Sequence, residues 1–155
     1  MANIDNTCSE LEIEDLYSES TDTLGDVMRL QKDTQENTYG MNFKDMSLRE
    51  LMDFWHINTH ALIDEIHEAT DALGGIKDGD GNAIWKNWKK AYANFGDKKF
   101  SDLSPTDQLE AKFEVVDIFH FFMNQAISIG MTPEELFNMY MSKNKENRDR
   151  QARGY

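Results

Sequence analysis

Apolar residues recur at three- and four-residue intervals in four stretches of the chain, and no stretch alternates with the two-residue period of a strand. An all-α fold is predicted. Leu24, Val27, Met28 and Leu30 open a short amphipathic helix that should end before Gly40, with Gln31 and Gln35 on its polar side, where a solvated amide is the plain reading. Ser47 and Glu50 form a capping box ahead of Leu51, Phe54, Trp55, Leu62, Ile66, Ala69 and Leu73, so a long helix runs until Gly74-Gly75 stops it. Ser104-Pro105-Thr106-Asp107 supplies an N-cap, a first-turn proline and an acid for a second long helix reaching Gly130. Thr132-Pro133-Glu134-Glu135 repeats the device for a last helix, whose apolar periodicity is lost after Met141. The fold class is a helical bundle with four or more helices.

The second long helix breaks its own pattern. Phe113, Val116, Met123 and Ile127 mark one apolar face and Phe119, Phe122, Ala126 and Ile129 another, so burial on most sides is expected, yet Glu114 and Asp117 stand one turn apart within it. Buried carboxylates cost several kcal/mol unless a cation or donors compensate them. A metal ion is the economical explanation. The first long helix answers with Glu65 and Glu68, again three apart and on one face, although such a pair alone is usually a solvated surface. Oxygen donors alone select Mg²⁺, with Mn²⁺ as the substitute, and a di-iron bundle would need a histidine three residues after the glutamate, which neither Glu65 nor Glu114 has. His120 is expected as a packed histidine or one beside a ligand.

Composition narrows the setting. The 155 residues suit one globular domain, and the lone Cys8 cannot form an intrachain disulfide. No apolar run is long enough for a bilayer and no secretory leader is visible, so a soluble, cytoplasmic protein without membrane contact is expected. Net charge is -13, with 5 Lys+Arg against 19 Asp+Glu in residues 1–84 and 11 against 10 in residues 85–155. The acidic half argues against nucleic acid as a partner, whereas a small polyanion is compatible with metal ions on the acidic helices and cations in the second half.

Two stretches sharpen that reading. Asp78, Asp80 and Asn82 alternate like a calcium loop, but Ala83 and Lys89 occupy the positions of the required glycine and glutamate, so a connecting loop is predicted. In Trp85-Lys86-Asn87-Trp88-Lys89-Lys90, aromatic rings and ammonium groups fit either a docked surface helix or one wall of a nucleotide pocket. Carboxylate-bound Mg²⁺ usually completes its shell with phosphates and water, the arrangement that phosphoanhydride hydrolysis needs.

Glu65-x-x-Glu68 and Glu114-x-x-Asp117, with Lys143-Asn144, Asn147, Arg150-Gln151 and the closing Gly154-Tyr155, resemble the metal motifs and C-terminal signature of the all-α NTP pyrophosphatases, in their dimeric dUTPase branch. The resemblance covers roughly residues 60 to 155. It implies a homodimer of MazG-like or dimeric-dUTPase architecture that hydrolyses dUTP, or dCTP, to the monophosphate and pyrophosphate with Mg²⁺. It implies that Glu65, Glu68, Glu114 and Asp117 hold the metal and that Glu65 or Glu68 helps activate water. It assigns Asp117 and Phe121 to the deoxyribose and Gln31 to the base. Asn144 or Asn147 would also contact the base, Lys143, Arg148 and Arg150 the phosphates, and Lys89 with Trp85 or Trp88 would complete the pocket. The domain layout that follows is a flexible acidic leader over 1–20, a helical catalytic domain over 21–142 and a basic tail over 143–155. A broad house-cleaning pyrophosphatase and a non-enzymatic helical interaction protein are the competing readings.

Overall fold

In a computed structural model, which describes residues 20–74, 88 and 98–154, the chain is all-α, with no strand among the described residues. Four α-helices are present among them: α1 (Thr23–Asp33), α2 (Leu48–Gly74), α3 (Pro105–Ser128) and α4 (Pro133–Ala152). The chain divides into two compact units, one with the described residues of 59–121, the other with those of 19–58 and 122–155. Residues 1–19 of the leader, the calcium-like loop, Trp85 and Lys89 lie outside the described residues.

The predicted caps set the helix starts. Ser47 N–H donates to Glu50 Oε2 at 2.8 Å and Glu50 N–H returns a bond to Ser47 Oγ at 3.3 Å. Asp107 N–H donates to Ser104 Oγ at 3.1 Å, and Thr132 with Glu135 closes a capping box at 2.9 and 3.1 Å. Each cap satisfies amide groups that a helix start leaves without partners, at a typical worth of about 1 kcal/mol. After α1, one π-helical turn (Thr34–Thr38) carries the chain to Gly40, whose φ of 68° ends it before the predicted limit.

In the unit of residues 19–58 and 122–155, α1 packs against α4, and the core is Met28, Met123 and Ile127 with Leu24, Phe43 and Leu136 around it. Phe43 meets Phe54 edge to face at 5.3 Å. Trp55 Nε1–H donates to Ser128 Oγ at 2.9 Å, and Ser128 Oγ–H donates to the Gln125 carbonyl at 2.8 Å, so the indole's polar edge is satisfied. Gln31 and Gln35 are not solvated amides. Gln35 is 7% exposed on the π turn, and Gln31 is half-buried against Asn124.

Helix α4 continues past Met141 to Ala152, so residues 143–152 are helical. Loss of apolar periodicity is not loss of helix, because Lys, Glu, Arg, Gln and Ala are strong helix formers. Glu146 also binds Arg150 at 3.0 Å and Arg153 at 3.1 Å along the exposed face. Helix α3 departs from expectation too. Val115, Val116 and Phe122 are 60%, 45% and 42% exposed, so a single chain leaves much of its apolar surface uncovered.

Candidate functional site

The acids converge within the unit of residues 59–121. About five turns into α2, Glu65 and Glu68 project from one face, and Glu114 reaches them from α3; one oxygen of each lies within 4.8 Å of the others. Glu65 and Glu114 are half-buried and Glu68 is exposed. Asp117 stands outside this close triad, half-buried one turn further along α3, where its charge is still felt by Glu65 and Glu114. The full burial expected for Glu114 and Asp117 is not reached, because the apolar faces beside them remain open in one chain.

Burial and neighbouring charge together raise two of these carboxyls. Burial, above all, pushes the Glu114 carboxyl up to about 7, helped by its hydrogen bond with Glu65 and by the charges of Glu68, Glu65 and Asp117. Burial raises Glu65 as well, with the Glu114 hydrogen bond opposing the rise and the charges of Glu68, Asp117 and Asp64 adding to it. The two carboxyls therefore share a proton. His120 is exposed rather than packed, with Nδ1 at 3.3 Å from Asp117 Oδ1, which places it beside the fourth acid.

Convergent carboxylates with mutual repulsion suit a cation in the proton's place, and the donor set fits a hard divalent ion. The same unit holds an open apolar recess of about 300 Å³, lined by Ala69, Leu73, Phe100, Ala111, the Lys112 stem and Val115.

Phe121 is half-buried, Trp88 is 69% exposed on a turn, and Lys143, Asn147 and Arg148 lie exposed on α4. Asn144 Oδ1 accepts from Arg148 Nε at 3.0 Å and Nη2 at 2.7 Å, while Arg150 Nε–H donates to Glu146 at 3.0 Å. Gln31 Nε2–H donates to Asn124 Oδ1 at 2.8 Å. Asn124 and Asn58, both 4% exposed, went unnoticed in the sequence. The signal was available: each is an amide inside an apolar helical run, the anomaly that singled out Glu114 and Asp117.

No protein-family model matches the chain, and no solved structure does. Curated relatives match its greater part. The chain is 52% identical over 96 residues to a dCTP pyrophosphatase of Enterobacteria phage LZ5, covering 61% of this chain and 56% of the relative. It is 46% identical over 94 residues to a dCTP pyrophosphatase of Enterobacteria phage T4, covering 59% and 55%. A DNA replication protein of Enterobacteria phage T4 is 45% identical over 84 residues, 53% of this chain and 21% of that protein. The chain thus spans little more than half the length of the two pyrophosphatases. The motif resemblance narrows, at its finest, to the dCTP/dUTP pyrophosphatase of T-even-type phages, and the two pyrophosphatases agree with it. No helix among the described residues is long and apolar enough to cross a membrane.

Proposed function

We propose that this chain hydrolyses a pyrimidine deoxynucleoside triphosphate, dCTP or dUTP, to the monophosphate and pyrophosphate, with Mg²⁺ (or Mn²⁺) held by Glu65, Glu68, Glu114 and Asp117. The convergence of Glu65, Glu68 and Glu114 carries the reading, because a merely acidic surface gives no reason for three carboxylates from two helices, two of them half-buried, to lie within 4.8 Å of one another. Similarity to two proteins named dCTP pyrophosphatase supports the substrate class.

A divalent ion held by these acids would offset the negative charge of the phosphates and would make water a better nucleophile. The chain's own residues do the rest. Glu65 or Glu68 accepts the proton of the attacking water, and Glu68 is the more open to solvent. Lys143, Arg148 and Arg150 hold the phosphates, an arrangement in which charge developing on the leaving pyrophosphate is stabilised. Gln31 and Asn144 or Asn147 read the base, Asp117 and Phe121 the deoxyribose, and Lys89 with Trp85 or Trp88 lines the pocket. Two copies form the working unit, in the cytoplasm of an infected host. Exposed Leu48 and Met52 in one unit, and Val115 and Val116 in the other, support pairing, since monomers rarely expose so much apolar surface.

The deciding experiment incubates the chain with Mg²⁺ and each of the eight common nucleoside triphosphates plus dUTP, with products identified by chromatography. Monophosphate and pyrophosphate from dCTP or dUTP alone are expected. Turnover of purines as well would replace this reading by a broad pyrophosphatase, and turnover of none would remove it.

A further inference from the structure

In the unit of residues 19–58 and 122–155, three side-chain amides stand in single file. Asn58 Nδ2–H donates to the Phe54 carbonyl at 2.8 Å, Asn124 Nδ2–H donates to Asn58 Oδ1 at 2.8 Å, and Gln31 Nε2–H donates to Asn124 Oδ1 at 2.8 Å. The direction of this file is not free. A main-chain carbonyl has lone pairs and no hydrogen, so the Asn58 amide must turn its nitrogen toward Phe54 and its oxygen toward Asn124. The same constraint then passes to Asn124 and to Gln31. Reversing any one amide would oppose oxygen to oxygen or nitrogen to nitrogen along a file in which Asn58 and Asn124 are only 4% exposed, leaving buried polar atoms unpaired. The polarity is therefore set by a helix backbone, and at its outer end Gln31 Oε1 accepts no hydrogen bond among the described residues.

We infer that Asn58 and Asn124 are positioning residues that hold Gln31 with its oxygen offered to the base, so that a pyrimidine with a 4-amino donor is preferred to one with a 4-carbonyl: dCTP over dUTP. The inference rests on the reading of Gln31 as a base-reading residue. A glutamine free to turn would serve both bases, since either end of the amide can meet the 4-position. Held by Asn124, it accepts from the amino group of cytosine, whereas the O4 of uracil meets a second lone pair.

Steady-state kinetics on the full chain with Mg²⁺ and either dCTP or dUTP tests this. For the unmodified protein, kcat/KM for dCTP should exceed that for dUTP by roughly tenfold or more, the scale of one unpaired hydrogen-bonding group. In Asn124→Ala, with helix content checked by circular dichroism, the ratio should fall toward one through opposite changes in the two KM values at little-changed kcat. Should Asn124→Ala not fold, Asn124→Leu, which fills the same space without an amide, decides, and a ratio unchanged from that of the unmodified protein overturns the inference. Gln31→Leu separates the two levels of failure. If it leaves both KM values unchanged, Gln31 does not touch the base and the underlying reading falls. If it raises KM for dCTP while Asn124→Ala leaves the ratio intact, the reading stands and the positioning role is overturned. Equal efficiency on both substrates in the unmodified protein overturns it too, and hydrolysis of neither removes the proposed activity itself.

Discussion

Glu65 on α2 and Glu114 on α3 share a hydrogen bond between two carboxyls, and the Glu114 group is pushed up to about 7. A proton holds together what charge would otherwise push apart. Because these groups bind more protons in the folded chain than in the unfolded one, their contribution to stability is fully present below the ordinary value of 4.5 and is lost as pH rises through about 7. The metal-free protein should therefore melt at a lower temperature at pH 8 than at pH 5. Scanning fluorimetry in a chelator checks the sign, and a flat profile would contradict the shared proton.

A divalent ion should reverse that trend. Mg²⁺ binds the ionised acids and competes with the proton, so added Mg²⁺ should raise the melting temperature at pH 8 by more than at pH 5. Equal shifts at both pH values would place the ion elsewhere.

Glu114→Gln should remove a ligand and a source of repulsion together. Mg²⁺-dependent turnover is expected to fall by at least about 100-fold, since even the outer partners of metal ligands are worth 10–100-fold. The fold should survive, with a higher melting temperature than the unmodified protein at pH 8 without metal. Retained activity would sink the metal assignment.

The cations of α4 can be tested without cutting the helix. Lys143→Ala and Arg148→Ala lie on its exposed face, where single surface changes alter stability by about 0.5 kcal/mol or less. Helicity should hold while KM for the triphosphate rises. An unchanged KM would make these residues ordinary solvated charges.

Met123, 1% exposed between Met28 and Ile127, anchors one core. Met123→Ala should cost about 2–5 kcal/mol in denaturant unfolding, the usual range for such truncation. By contrast, the uncovered apolar residues of α3 should be protected by a second copy. Sedimentation at twice 18.0 kDa is expected, and a strict monomer would remove the proposed pairing.

Local chemistry made the helices legible. Ser47 with Glu50, Ser104 with Asp107 and Thr132 with Glu135 bond within three residues of each other, so the chain carries its helix starts wherever it folds. Glu65-x-x-Glu68 and Glu114-x-x-Asp117 were legible for a related reason: helical spacing puts each pair on one face, and carboxylates among apolar residues demand compensation. Tertiary packing decided the rest. No spacing rule brings Glu114 to Glu65 across 49 positions, makes the two share a proton or leaves Asp117 outside the close triad. Nor does the sequence orient an amide. Gln31 can donate or accept by itself, and only the file through Asn124 and Asn58 to the Phe54 carbonyl fixes which, because hydrogen-bond polarity passes between residues distant in the chain.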